Sequence, residues 1–296
     1  MKNPKFSLII PTYNRANLIP KNLQSILEQS HQDFEVIIVD DGSTDNTQAV
    51  VCNFLNEKIH YFKIPNGERA KARNFGIQQA KGEFVSFLDS DDLLLPNYFE
   101  EATHFILQNP QSVFFSLAYQ VTDPQGNIIY KQNKRKGNLA KQLATGNHLS
   151  CIGVFVKREI IQKHLFNEQR ELSGTEDYEL WLRLASLYPL DFKNTVVASI
   201  VNHEERSVLN INEDKLIKRM EVLFACIENN IDCMNFYGAK GIQTIKAHSW
   251  LYVALHLAMA KKKKTALKYL LKAVQEDFRS LFTKKFLVIL RKIFLR

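Results

Sequence analysis

Between residues 6 and 110 the chain alternates short β-rich runs with stretches whose apolar residues recur every three or four positions. The strand candidates are Phe6–Ile10, Glu35–Val39, Ile59–Ile64 and Glu83–Leu88, and the intervening helical patterns are Leu18–Gln29, Thr47–Leu55 and Ala70–Ala80. Ser43 or Thr44 stands where a cap for the second helix is wanted, with Asp45 in its first turn. Such alternation predicts parallel strands joined by right-handed crossovers, and so an α/β sheet. Beyond Pro96 the pattern gives a helix to Gln108 and then strands at Ser112–Gln120 and Ile128–Lys131 about an Asp123-Pro124-Gln125-Gly126-Asn127 turn. A polar stretch, Lys131–Asn138, reads as a loop, Cys151–Val156 as a strand, and Tyr178–Leu187 as a helix stopped before Pro189. From Asp214 onward the pattern is helical, which predicts a division into residues 1–210 and a helical, basic extension over 211–296.

In open α/β sheets ligands bind beyond the carboxyl ends of the strands. Three such ends are polar here: Pro11-Thr12-Tyr13-Asn14-Arg15, Asp40-Asp41-Gly42-Ser43-Thr44-Asp45 and Asp89-Ser90-Asp91-Asp92. A single acidic strand end can simply cap the next helix. Clustered aspartates repel one another unless a cation or hydrogen-bond donors offset them, and hard oxygen ligands of this kind suit Mg²⁺ or Mn²⁺ shared with a phosphate. No GxGxxG follows the first strand and no GxxxxGK[ST] occurs, which argues against a dinucleotide fold of the usual type and against a P-loop enzyme. Leu88-Asp89-Ser90-Asp91 superficially fits a haloacid-dehalogenase-type phosphatase with Asp89 as nucleophile, but that chemistry expects its DxD on the first strand.

The 296 residues are 45% hydrophobic and 24% charged, the balance of a globular chain with an ample core. Cys52, Cys151, Cys226 and Cys233 show no CxxC spacing and are expected to be buried free thiols from a reducing compartment. Phe6–Ile10 is too short for the apolar stretch of a signal peptide, and no run reaches the ~18 apolar residues of a membrane span, so a cytoplasmic chain is expected, soluble or peripheral. The net charge of +8 is unevenly placed: from Lys261 to Arg296 there are 12 Lys/Arg against Glu276 and Asp277, while the other 260 residues carry 27 basic and 29 acidic groups. A nucleic-acid partner, which wants basic groups across a binding face, is not expected.

Taken in order, IIPTYNR, VIIVDDGSTDNT, NGERAKARNFGIQQAKGEFVSFLDSDD and GTEDYELWLRL resemble the family 2 glycosyltransferases over roughly residues 5–205. The resemblance implies the GT-A fold, a mixed and mainly parallel sheet flanked by helices, with a helical C-terminal extension. It also implies an inverting transfer from a nucleotide-diphosphate sugar, a UDP-sugar by preference, to a glycan or lipid-linked acceptor in bacterial surface polysaccharide or lipopolysaccharide synthesis. Position by position, Pro11, Tyr13 and Asp41 match the pocket for base and ribose. Arg73 matches a residue that reaches donor phosphate or sugar, with a solvated helix arginine as the alternative. Asp89-Ser90-Asp91 matches the DxD motif, with Asp91 the direct metal ligand and Asp89 reaching ribose, sugar or the metal through water. Asp92 is expected to be a cap or a supporting group, and Asp177 matches the catalytic base. Glu176 is expected as a helix N-terminal acid. His203 matches a looser feature in which a later His meets diphosphate or metal, a surface histidine being the alternative. A non-catalytic scaffold of the same fold is the competing class, although Asp41, Asp91 and Asp177 are all retained.

Ala247 to Val274 reads as a helical hairpin, and Phe282–Arg296 sets Phe282, Phe286, Ile289 and Ile293 at helical spacing among Lys284, Lys285, Arg291, Lys292 and Arg296. A basic amphipathic helix of this kind suits an anionic membrane surface on the inner face of the cell membrane, with packing on its own domain or on an oligomer partner as the alternative.

Overall fold

A computed structural model describes residues 3–132, 135–203 and 212–294. Two compact units divide the chain: Met1–Leu139, Leu149–Leu180 and Tyr188–Glu205 form one, and Ala140–His148, Trp181–Leu187 and Arg206–Arg296 the other. The C-terminal helices thus share their unit with two short segments from before residue 210.

The first unit begins with β1 (Phe6–Thr12), α1 (Ile19–Leu27), β2 (Phe34–Asp40), α2 (Thr47–Cys52), β3 (Ile59–Lys63), α3 (Glu68–Gln79) and β4 (Phe84–Phe87). β3, β2, β1 and β4 lie side by side and parallel, with β1 pairing Phe6 to Phe34 on one flank and to Phe84 on the other. After β5 (Leu93–Leu94) and α4 (Tyr98–Gln108) come β6 (Phe114–Thr122), β7 (Ile128–Lys131), α5 (Leu139–Gln142), β8 (Val154–Lys157), α6 (Arg158–Ile161), α7 (Glu176–Leu187) and β9 (Asp191–Val201). β8 runs antiparallel between β4 and β6, β9 lies parallel to β6, and β5 closes the edge beyond β9. The sheet is therefore mixed and mainly parallel, as expected. Every residue of β1 and β2 is buried, the mark of strands covered on both faces. On one face Phe6, Leu8 and Ile10 pack with Leu23 and Ile26 of α1, Phe99 of α4, and Phe115 and Phe155, which stack at 4.9 Å. On the other, α3 approaches so closely that a Cβ on Gly76 would lie 2.5 Å from Cγ2 of Ile9.

Four expectations need correcting. Ser43 and Thr44 do not cap α2. That helix starts at Thr47 from an uncapped Asn46, because the Ser43 hydroxyl accepts the Asn14 N–H and the Thr44 N–H goes to the Asn14 side chain. β9 was not anticipated: Lys193 and Asn194 interrupt its alternation, and two register shifts against β6 absorb the irregularity. Cys52 is exposed and Cys226 half-buried rather than buried, and none of the four cysteines forms a disulfide among the described residues.

The fourth correction concerns the second unit. It carries α8 (Glu213–Glu228), α9 (Ile231–Met259, with a non-helical break at Gly238), α10 (Lys263–Glu276) and α11 (Lys284–Phe294). Trp250 of α9 stacks on Tyr269 of α10 at 5.2 Å, with the Lys272 ammonium 4.0 Å over the indole. In α11 the face expected to insert into a membrane, Phe286, Ile289 and Ile293, is buried within this unit. Phe282 lies outside that face and is exposed. No helix among the described residues is long and apolar enough to cross a membrane.

Candidate functional site

Parallel strands deliver β1, β2 and β4 to the same edge of the sheet, and the polar residues follow each strand's last turn of chain. After β1, Tyr13 stands 46% exposed, while Pro11 is buried within the strand. Asn14 takes a positive φ of 49°. Its side-chain oxygen accepts from the Thr44 N–H at 2.8 Å and its own N–H reaches Ser43 Oγ at 2.8 Å, so the loops after β1 and β2 are tied together. Asp40 faces inward, accepting from Ser43 N at 2.6 Å and from the Tyr61 hydroxyl at 2.5 Å. Asp41 is held the other way: its carboxylate accepts from Gly67 N at 2.7 Å and Asn66 Nδ2 at 3.1 Å. Burial pushes the Asp41 carboxyl above its ordinary pKa, against the backbone N–H groups of Gly67 and Glu68, which favour its charge.

The turn after β4 gathers Asp89, Asp91 and Asp92, whose nearest carboxylate oxygens lie within 4.8 Å of one another. Asn22, fully buried in α1, pins this turn by donating to the Asp89 carbonyl at 3.0 Å and the Asp92 carbonyl at 2.7 Å. Asp92 accepts from Val201 N at 3.0 Å and is buried, as is Ser90. Asp91 is less enclosed; its Oδ2 faces His203 Nε2 at 3.1 Å and Arg15 Nη2 at 3.7 Å. His203 is thus brought to the acidic turn; the rest of its motif, from Glu204 on, lies outside the described residues. Three carboxylates this close, with an imidazole beside one of them, form a donor set that fits a hard divalent cation.

Arg73 is not the solvated helix arginine of its alternative reading. It is neither solvated nor extended outward: its guanidinium is buried, with Nη2 on Asp89 and Nη1 on Glu176, each at 2.7 Å. The Phe166 ring lies 5.3 Å from the guanidinium carbon. Burial opposes the charge on Arg73, but Cys151, Asp89 and Glu176 outweigh it and the pKa stays well above the ordinary value. Glu176 is likewise more than a helix-end acid. Its Oε2 accepts from Gly174 N at 2.5 Å and Thr175 N at 3.0 Å, and Arg69 Nε stands 3.9 Å from Oε1. Burial alone would raise its pKa; Arg69 and Arg73 reverse that and hold it below the ordinary range. Asp177, next in sequence and half-buried, accepts from Tyr178 N at 2.7 Å. Asn74, one residue past Arg73, fixes the segment leading to α7 through Phe166 N and O, each at 2.9 Å.

The structure therefore gathers Asp89, Ser90, Asp91, His203 and, through Arg73, the Glu176–Asp177 pair. Asn22, Arg15, Arg69 and the bracing role of Glu176 were not read from the sequence. Only the odd polar residue in the apolar face of α1 could have signalled Asn22.

Comparison with known proteins fits this arrangement. The model of Glycosyl transferase family 2 matches residues 7–165. An uncharacterized glycosyltransferase of Rickettsia bellii is 33% identical over 190 residues, 63% of this chain and 27% of that protein, so the chain spans about a quarter of this relative's length. The Escherichia coli protein named UDP-Glc:alpha-D-GlcNAc-diphosphoundecaprenol beta-1,3-glucosyltransferase WfgD is 28% identical over 254 residues, 83% of this chain and 96% of that one. Among solved structures, S. aureus TarS 1–349 in complex with UDP-GlcNAc superposes with a TM-score of 0.69 at 20% identity, covering 92% of this chain and 81% of that one.

Proposed function

This chain belongs to the family 2 glycosyltransferases, and on that premise we propose that it moves a sugar from a nucleotide-diphosphate sugar to an acceptor hydroxyl with inversion at the anomeric carbon. The observation that carries the reading is the buried Arg73, which ties Asp89 of the DxD turn to Glu176, the neighbour of Asp177. One cation thereby holds the donor-side carboxylates and the base-side carboxylates of the reaction in a fixed relation. The haloacid-dehalogenase alternative has no such support, since Asp89 follows the fourth strand and its Oδ1 is engaged by Arg73.

In this reading Tyr13 stacks on the nucleotide base and the lone pairs of Asp41 accept a base N–H. Pro11 shapes the floor of that pocket, and Ser90 keeps the DxD turn in register. Asp91, with Asp89 beside it, holds a Mn²⁺ or Mg²⁺ ion, with His203 as a neighbouring donor. That ion, when bound, neutralises charge developing on the diphosphate. Asp177 takes the proton of the acceptor hydroxyl as its oxygen attacks the anomeric carbon. The bond from that carbon to the diphosphate oxygen breaks, and a nucleoside diphosphate departs. A carboxylate suits this task because it is ionised at neutral pH and gains basicity as water is excluded.

The names of TarS's ligand and of WfgD support a UDP-sugar donor, and WfgD's name supports an acceptor sugar on diphosphoundecaprenol; in this reading the reaction serves bacterial surface polysaccharide synthesis. The test is a panel of nucleotide sugars scored for hydrolysis and transfer with and without EDTA. Expected are turnover of one UDP-sugar, loss of it on chelation, and a product inverted at the anomeric carbon. Retention of configuration, or full activity in EDTA or in Asp91→Asn, refutes the assignment.

A further inference from the structure

The C-terminal unit places large apolar side chains and positive charge on one exposed stretch. Residues 278–294 contain Arg279, Lys284, Lys285, Arg291 and Lys292 and no acidic residue. With its inner face of Phe286, Ile289 and Ile293 already used, α11 still shows Leu287 and Phe294 to solvent at 60% and 64% exposure. At the helical angle of 100° per residue, Leu287, Arg291 and Phe294 share a side, with Lys284 and Val288 next to them. The turn before α11 exposes Phe278 at 67% and Phe282 at 81%. Isolated exposed apolar residues are ordinary. Here five of them, Val288 included, fall within one short basic segment.

We propose that this surface docks the protein reversibly on an anionic lipid bilayer. Phe282, Leu287 and Phe294 enter the headgroup boundary, and Lys284, Arg291 and Lys292 meet the lipid phosphates. Arg279 is not counted, because its guanidinium is already bound to Asp277 at 2.8 Å. Charge complementarity selects the occupant. From Lys261 to Arg296 the chain holds 12 basic and two acidic residues, so a second copy would set like charges against each other, whereas an anionic bilayer neutralises them. The docking face is not the one that helical spacing had suggested; it is the outer side of the same helix. It uses no residue of the strand-end site, so its failure would leave the catalytic reading standing.

The experiment mixes the full chain with phosphatidylcholine vesicles prepared with and without phosphatidylglycerol, and measures co-sedimentation at low and high salt. Expected is binding only with phosphatidylglycerol, weakened by salt. The triple variant Phe282→Ser, Leu287→Ser, Phe294→Ser should bind at least about tenfold more weakly with an unchanged melting curve, since these groups insert only into the interface. Lys284→Glu with Arg291→Glu, both exposed, keeps the test valid if the triple variant misfolds, and should abolish the lipid-charge preference. Equal binding to neutral vesicles, undiminished binding by both variants, or a dimer that the triple variant dissolves overturns the proposal.

Discussion

At the scale of single residues the site is organised by a buried arginine rather than by the aspartates it positions. Arg73→Gln leaves Glu176 charged, buried and short of its nearest counter-charge. We expect a loss of about 3–5 kcal/mol in unfolding free energy, the usual cost of breaking one side of a buried pair, measurable by denaturant titration. Asp177→Asn should behave differently, lowering kcat by about 10²–10⁴ at nearly constant donor affinity, as removal of a general base does. Steady-state kinetics checks this, and a collapse of donor binding with kcat intact would make Asp177 a binding residue instead. The polar turns after β1, β2 and β4 were legible because a strand end is a place, and polar side chains gathered there have few reasons to be. The direction of Arg73 was not legible. Spacing puts it on α3 but says nothing of Glu176, 103 residues on, which must arrive before the guanidinium can be buried at all.

Elements followed from periodicity wherever one face met one neighbour. β1, β2 and β4 and the three early helices are where the alternation put them, to within a few residues. β9 escaped because its twist and register shifts spoil the alternation that would have announced it. α11 shows a subtler limit: period identifies the residues that share a face, but the packing of α9 and α10 decides whether that face meets solvent. Helix α3 supplies a prediction. Gly76→Ala should gain about 1 kcal/mol of helix propensity. It should lose about 1–3 kcal/mol where the new Cβ meets Ile9, so the variant is no more stable than the parent. Thermal unfolding decides this. The added instability should shrink when Ile9→Ala is present as well, because the two changes share one contact.

At the scale of the whole molecule the C-terminal unit carries an acid-sensitive ion pair. Asp277, in the C-terminal unit, is held at about 2 against an ordinary 3.8 by hydrogen bonds from Arg279 first and by Thr244 as well. A carboxyl with a depressed folded-state pKa stabilises above its unfolded value and loses that contribution as pH falls through the folded one. Asp277→Asn should therefore melt lower than the parent at neutral pH, and the gap should close between about pH 4 and about pH 2. Calorimetry across that range reads it directly, and a gap independent of pH would refute the account. The Arg73 brace also bears on how the chain reaches this state. Its two partners lie 16 and 103 residues further along the chain, one on the turn after β4 and one at the start of α7. Closing the longer loop comes late, since distant pairings form only after local ones have paid down the entropy between them. Until then an intermediate holds Arg73 with Asp89 as its near counter-charge and without Glu176. Amide exchange should accordingly show the turn at Gly174–Thr175 gaining protection after the first four strands. On the proposed reading, the Glu176–Asp177 pair joins the acidic turn only in chains whose longer loop has closed, so transfer activity reports complete folding of this unit.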